Sequence, residues 1–168
     1  MDRSRGGEGE PNPRVRSTAA VSAKRGRPPA VPPEAAHADA NVFVALFAGQ
    51  SHPLHDLALD LFRRVAEGRL ALLLSPVIVA ELVCVARGTL GWTRSATAAH
   101  LAALLEADGL LPTEPATLAR ALELYGADQR LDFPDAYLAA LALEVGPPAV
   151  VSFDRDLDAV EGLRRIAS

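Results

Sequence analysis

Residues 70–82 read Leu-Ala-Leu-Leu-Leu-Ser-Pro-Val-Ile-Val-Ala-Glu-Leu. The apolar run at residues 70–74 predicts a buried β-strand, because a strand covered on both faces is apolar throughout. Ser75 and Pro76 then predict the start of a helix, since proline is favoured in the first helical turn, and Gly88 predicts its end. A strand that leads directly into a helix is the repeating unit of α/β proteins, so this stretch predicts a parallel sheet.

The same alternation continues on both sides of this unit. A short strand that runs into a turn or helix is expected at residues 38–46, and further strands at residues 110–111, 149–153 and 163–166. Helices are expected after caps at Ser51, Thr93, Thr113 and Asp132, the last one running over residues 135–145. Strands that alternate with helices predict parallel βαβ units, with a sheet covered by helices on both faces.

The composition narrows the class of protein. A chain of 168 residues has room for one domain with a good core. Aromatic residues are few, which argues against a protein that grips single strands by base stacking. The single cysteine, Cys84, lies in an apolar helical run and is expected to be buried, so disulfides and Cys-based zinc sites are excluded. No apolar run approaches the ~20 residues of a membrane span and no secretory signal begins the chain, so we expect a cytoplasmic protein without a membrane partner.

Charge divides the chain into two parts. Residues 1–30 carry seven basic and three acidic side chains, a net charge of +4, whereas residues 31–168 carry ten basic and eighteen acidic ones, a net charge of −8. Residues 1–37 are rich in Gly, Pro, Arg, Ser and Ala without apolar periodicity, which predicts a disordered basic tail before a folded domain at residues 38–168. Because residues 31–168 are acidic overall, they offer no broad basic surface for nucleic acid. Local arginines and metal ions would have to hold any nucleic-acid substrate.

One motif in the tail suggests a different partner. Residues 24–29, Lys-Arg-Gly-Arg-Pro-Pro, resemble an AT-hook core, whose Arg-Gly-Arg can lie in a narrow A·T minor groove. A single copy is weak support for DNA binding, and the alternatives are a solvated basic linker or an over-extended start of translation. We expect residues 1–30 to be dispensable for folding and turnover, with their basic side chains able to strengthen nucleic-acid binding through counterion release.

Four acidic residues stand in separate motifs beside apolar segments: Asp39, Glu81, Asp135 and Asp154. In an open parallel sheet, ligands bind beyond the carboxyl ends of the strands, where Asp39, Asp135 and Asp154 are expected to lie. Glu81, about one and a half turns into its helix, reaches the same rim only if the helix is suitably oriented. Asp135 opens a helix, whose positive end favours the ionised carboxylate. Carboxylates that converge repel one another unless a cation neutralises them, and Mg²⁺ prefers such oxygen ligands. The chemistry implied is metal-assisted phosphoryl transfer with water as the nucleophile.

Each acid also has a plainer interpretation. Any of the four alone could be a helix cap or a surface charge, and for Asp135 the cap is as good an interpretation as the metal ligand. Asp132 is expected to cap its helix, and Asp156 and Asp158 to lie on a solvated loop. The four histidines have no metal-ligand spacing and are expected on the surface: His37, His52, His55 and His100.

The scarcity of lysine excludes several acidic-site enzymes. Lys24 is the single lysine and lies in the tail, whereas haloacid-dehalogenase-type phosphatases, response-regulator receivers and P-loop kinases each use a lysine in the site. A nuclease site built from acids and metal needs none.

The ordered set of acidic motifs resembles the PIN-domain family, and most closely its VapC-like ribonuclease toxins, from about Ala38 to the C-terminus. The matching motifs are Asp39-Ala40-Asn41-Val42, the Pro-x-x-x-x-Glu-Leu that contains Glu81, Asp135-Ala136 with Leu138-Ala139-Ala140, and Ser152-Phe153-Asp154-Arg155-Asp156. Residues 34–38, Glu-Ala-Ala-His-Ala, depart from the family's usual first strand of large apolar residues, which could loosen the placement of Asp39.

The resemblance implies a three-layer α/β fold, with a central parallel sheet of about five strands flanked by helices. It implies a metal site of Asp39, Glu81, Asp135 and Asp154 for Mg²⁺, with Mn²⁺ as a possible substitute, and Asn41 and Ser152 as residues that orient the carboxylates. The implied activity is a Mg²⁺-dependent endoribonuclease, the toxin of a type II toxin–antitoxin pair. Its implied partners are an RNA substrate, an antitoxin that covers the site and a second copy of the chain. The alternative is a non-catalytic module whose tail contacts DNA while the PIN-like fold serves as a scaffold.

Overall fold

The structure, a computed structural model, describes residues 34–167, which contain five β-strands and six α-helices in alternation. The strands are β1 (Ala35–His37), β2 (Ala71–Leu74), β3 (Leu110–Pro112), β4 (Ala149–Val151) and β5 (Arg164–Ile166). The helices are α1 (Ala40–Phe47), α2 (His55–Ala66), α3 (Pro76–Gly88), α4 (Arg94–Leu105), α5 (Pro115–Ala127) and α6 (Phe133–Val145). Two short 3₁₀ helices cover Gly49–Ser51 and Arg155–Ala159. The predicted α/β class is confirmed.

All strand pairs in residues 34–167 are parallel, as predicted, but the strands form two sheets. The first sheet has the order β1-β2-β3, and β4 pairs with β5 in the second. The single sheet of about five strands is therefore replaced by sheets of three and two strands. Strand β1 holds two alanines and a histidine, all exposed, so it offers little apolar surface that could hold another strand at its free edge.

The β2–α3 unit follows the pattern from which its fold was predicted. Strand β2 is almost entirely buried in the centre of its sheet. Helix α3 begins at Pro76 and buries one face, made of Val79, Leu82, Val83 and Ala86. Glu81 and Cys84 lie outside that face and are exposed, so the expectation that Cys84 is a buried hydrophobe was wrong. Helical periodicity, rather than apolar character alone, decides which side of α3 is covered.

The first strand lies earlier than predicted. Residues 38–46 are mostly helix, and the strand is β1, inside the segment that we assigned to the tail. The folded region therefore includes residues from at least Ala35. The remainder of the predicted disordered tail, including the AT-hook-like residues 24–29, lies outside the described residues. Helix α1 begins after Asp39 because the carboxylate of Asp39 accepts a hydrogen bond from the backbone N–H of Asn41, at 3.0 Å.

The helix caps are partly as expected. The Thr93 hydroxyl accepts a hydrogen bond from the N–H of Ala96 at 3.2 Å, which confirms the cap of α4. Ser51 lies in a 3₁₀ helix and donates to the carbonyl of Ala48, so α2 begins later than predicted, without a side-chain cap. Glu114 rather than Thr113 holds the cap position of α5, and Asp132 occupies that of α6 without a capping hydrogen bond. Competing local hydrogen bonds and turns explain why a capping residue type alone misplaces a helix start.

One core connects both sheets to the helices. Its largest fully buried side chains come from α1, β2, α3, α4, α5, the α5–α6 connection and the second 3₁₀ helix: Phe43, Leu74, Leu82, Leu101, Leu118, Leu122, Leu131 and Leu157. Phe43 packs edge-on against Phe62, with ring centroids 5.4 Å apart, and so joins α1 to α2.

Gly109→Ala should be far more destabilising than Gly91→Ala. Both glycines have a positive φ, +80° and +69°, but a Cβ on Gly109 would lie 2.5 Å from Cγ1 of the buried Val65, whereas nothing lies within 4 Å of a Cβ on Gly91. Backbone strain costs either variant about 1–2 kcal/mol, and overpacking adds about 1–3 kcal/mol at Gly109. Urea unfolding measures the difference in stability between the two variants. Equal losses of stability would contradict the packing of α2 on the turn before β3.

Candidate active site

The four predicted acids lie at the ends of strands and on two helices. Asp39 directly follows β1 at the cap position of α1, and Asp154 follows β4 at the cap position of the second 3₁₀ helix. Asp135 is in the first turn of α6, and Glu81 lies in the middle of α3. Asp39 and Asp154 therefore stand beyond the carboxyl ends of parallel strands, where α/β proteins bind ligands.

The charges of three other carboxylates act on Asp135, and we call Asp132, Asp135, Asp154 and Asp156 the acidic cluster. Burial raises the pKa of the Asp135 carboxyl above its usual value, and the negative charges of Asp154, Asp132 and Asp156 raise that pKa further. The helix dipole was expected to favour the ionised form of Asp135, but burial and like charges outweigh it. Ionising Asp135 therefore costs free energy that an opposite charge could offset.

Two members of the acidic cluster were not predicted as site residues. Asp132 was expected to cap α6 but makes no capping hydrogen bond, and Asp156 was expected on a solvated loop but is half-buried. The sequence carries a signal for both, since Asp132 lies one helical turn before Asp135 and Asp156 lies two residues after Asp154. Asp158 is not a member of the acidic cluster. It forms a bidentate pair with Arg165, which lowers the pKa of the Asp158 carboxyl.

Asp39 and Glu81 are not among the charges that shift the pKa of Asp135. Within residues 34–167, no three or more His, Cys, Asp or Glu side chains are grouped so as to hold a metal ion. The structure thus brings Asp135 and Asp154 near each other but does not gather all four predicted acids. Helix α3, which carries Glu81, packs against both α1 and α6, the helices that begin at Asp39 and just before Asp135.

Short hydrogen bonds fix the turns that carry Asp39 and Asp154. Asp39 accepts from the backbone N–H of Asn41, and Asp154 accepts from that of Asp156 at 2.9 Å. The Ser152 hydroxyl accepts a hydrogen bond from the N–H of Asp154 at 3.0 Å. Asn41 therefore orients a carboxylate through its backbone, while Ser152 contacts the backbone of Asp154 rather than its carboxylate.

Arg165, a residue that the sequence did not single out, holds the loop around Asp154. Its guanidinium donates to the carbonyl of Ser152 at 3.0 Å and to both carboxylate oxygens of Asp158 at 2.8 Å. The side chain is only 14% exposed, so these hydrogen bonds are largely shielded from water. Arg165 thereby ties β5 to the residues on both sides of Asp154.

A groove of about 450 Å³ opens beside Asp135. It is lined by Val83, Cys84, Arg87, Arg94, Tyr125, Asp132, Phe133, Pro134 and Asp135. The exposed Arg87 on α3 donates a hydrogen bond to the carbonyl of Trp92. Two arginines, two carboxylates and apolar walls in one groove suit a ligand that carries both phosphate and apolar parts.

Asp135→Asn should stabilise the metal-free protein at pH 7 and lose this advantage below about pH 4. The folded-state pKa of Asp135 is raised, so its contribution to stability is fully present below the unfolded-state pKa and is lost as the pH rises through the folded-state pKa. Asparagine cannot ionise, so the variant does not lose stability as the pH rises. Urea unfolding with chelator at pH 7 and pH 3 measures it, with Asp108→Asn as the control outside the acidic cluster. An equal gain in the free energy of unfolding at both pH values would contradict the electrostatic cause.

Comparison with known proteins agrees with the motifs and the fold. Residues 38–163 match the model of the PIN domain. Searches of curated proteins and of solved structures returned no significant match. The family match covers well over half of the chain and includes Asp39, Glu81, Asp135 and Asp154. The chain therefore belongs to the PIN domain family, whose members are generally nucleases.

Proposed function

We propose that this nuclease-family protein is a Mg²⁺-dependent endoribonuclease, the toxin of a type II toxin–antitoxin pair. The observation that carries the proposal is the partly buried Asp135, which faces the charges of Asp154, Asp132 and Asp156 inside a matched PIN domain. A carboxylate whose charge is disfavoured by burial and by neighbouring carboxylates is suited to binding a cation that also contacts a phosphate.

The donor chemistry fits a hard divalent cation, which PIN domains typically use. All four proposed ligands are carboxylates, and burial together with the charges of Asp154, Asp132 and Asp156 raises the pKa of Asp135. Asp39, Glu81, Asp135 and Asp154 would hold Mg²⁺, or Mn²⁺ in its place. When bound, the cation would lower the pKa of a water molecule and stabilise negative charge on the phosphate.

The chain's own residues would position the substrate and move protons. Arg87, in the groove beside Asp135, is placed to pair with a backbone phosphate. Hydrolysis adds the oxygen of water to phosphorus and breaks the bond from phosphorus to the leaving oxygen. A carboxylate of the acidic cluster would accept the proton of the attacking water, and the leaving oxygen would take up a proton from solvent. Ser152 and Arg165 would keep Asp154 in place during this step.

The finer parts of the proposal rest on the resemblance to VapC-like toxins. The ordered motifs around Asp39, Glu81, Asp135 and Asp154 support an RNA substrate, a cognate antitoxin, a homodimer and a cytoplasmic location. No helix within residues 34–167 is long and apolar enough to cross a membrane.

A second candidate function is a non-catalytic module that binds DNA through its tail. The net charge of +4 on residues 1–30 and the AT-hook-like residues 24–29 favour it. The two functions depend on different parts of the chain, because the tail contains none of the four acids. Deleting residues 1–30 should abolish function in the second case and leave RNA turnover intact in the first.

Asp39→Asn and Asp135→Asn should each reduce RNA cleavage by at least about 100-fold without unfolding the protein. Each substitution deletes an anionic ligand while keeping the size of the side chain. Cleavage of RNA in Mg²⁺ and circular-dichroism melts measure the two effects, with Asp108→Asn as the matched control. Full cleavage by both variants would rule out the metal site proposed here.

A further inference from the structure

Arg94, the first residue of α4, makes an unusual set of contacts for an arginine. One terminal nitrogen lies within hydrogen-bonding distance of three backbone carbonyls, which share its two N–H groups: Tyr125 at 2.9 Å, Asp128 at 3.0 Å and Leu131 at 2.5 Å. The guanidinium also stacks over the ring of Tyr125, 4.1 Å from its centroid. The side chain is only 11% exposed, so these contacts are shielded from water. Arg94 is therefore bound to the protein itself, which leaves Arg87 as the groove's more exposed cation.

The three carbonyls span the whole connection between α5 and α6. Tyr125 lies in the last turn of α5, Asp128 follows that helix, and Leu131 directly precedes the cap residue of α6. The second terminal nitrogen of Arg94 lies 3.7 Å from the carboxylate of Asp132, that cap residue. A single side chain from α4 thus holds the end of one helix, the loop and the start of the next helix.

This connection sets the position of Asp135. The first backbone hydrogen bond of α6 runs from the N–H of Ala136 to the carbonyl of Asp132, at 2.9 Å, and Asp135 lies within that turn. Phe133, in the same turn, packs edge-on against Tyr125, the ring that Arg94 covers. A shift of residues 128–132 would therefore move the carboxylate of Asp135 relative to Asp154.

We propose that Arg94 is a positioning residue for Asp135, one that fixes the start of α6 in the geometry that catalysis needs. Arg94 acts through backbone carbonyls and does not itself contact substrate. The proposal rests on the nuclease function proposed above, since it assigns a role in that reaction. The proposal explains why an arginine occupies this largely buried position. A lysine has no planar group that could stack on Tyr125 while it donates hydrogen bonds to several carbonyls.

The test compares Arg94→Ala and Arg94→Lys with Val65→Ala. Val65 is a buried residue of α2 outside the α5–α6 connection, so its variant reports general destabilisation. Steady-state cleavage of RNA gives kcat and KM, at a temperature where circular dichroism shows every variant to be folded. Hydrogen exchange of the Ala136 amide, followed by NMR without metal or RNA, reports the opening of the first turn of α6.

We expect Arg94→Ala to lower kcat about 10- to 100-fold with KM changed less than about threefold, because displaced catalytic groups lose rate more than binding. Arg94→Lys should retain an intermediate kcat. The Ala136 amide should exchange faster in Arg94→Ala than in Val65→Ala. If Arg94→Ala does not fold, the same comparisons apply to Arg94→Lys.

The positioning role would be overturned if the Arg94 variants kept the wild-type kcat. It would also be overturned if Val65→Ala lowered kcat by as much as they do. If the wild-type protein cleaves no RNA, the proposed nuclease function fails on its own. The exchange of the Ala136 amide then decides the role of Arg94. Faster exchange in Arg94→Ala than in Val65→Ala would support Arg94 as the residue that fixes the start of α6. Equal exchange in the two variants would contradict that role.

Discussion

The free-energy cost of ionising Asp135 at the start of α6 is the constraint on which the rest of the site depends. Burial and the charges of Asp154, Asp132 and Asp156 all disfavour the ionised form of Asp135. Two largely buried arginines outside the acidic cluster hold the backbone on either side: Arg94 binds the connection before α6, and Arg165 binds the loop around Asp154. The residues that hold this backbone are thus not themselves proposed ligands.

The division into two sheets bears on the other predicted ligands. Asp39 follows β1, whereas Asp154 follows β4, and these strands belong to different sheets. No ladder of hydrogen bonds within residues 34–167 therefore fixes the distance between the two carboxylates. The small residues of β1 are the physical reason, as the sequence at residues 34–38 had suggested. Asp39 is held locally by the N–H of Asn41, so its position follows that of α1.

Much of the fold was predictable because it depends on local pattern. The apolar run at residues 70–74, the Ser75-Pro76 boundary and the Thr93 cap each place an element correctly. The errors arise where one local signal competes with another, as at Ser51, or where position on a helix decides exposure, as for Cys84. Asp132 and Asp156 were not predicted as site residues because their approach to Asp135 depends on tertiary packing. The contacts of Arg94, which join residues more than 30 positions apart, have no local signature at all.

The most direct test of the proposed metal site, formed by Asp39, Glu81, Asp135 and Asp154, is the effect of metal on thermal stability. The melting temperature of the wild-type protein should rise with millimolar Mg²⁺ or Mn²⁺, because only the folded state would offer these carboxylates together to the ion. The Asp135→Asn/Asp154→Asn double variant should show no such rise. An absent shift in the wild-type protein, or an equal shift in the double variant, would contradict the assignment of Asp39, Glu81, Asp135 and Asp154 as the metal site.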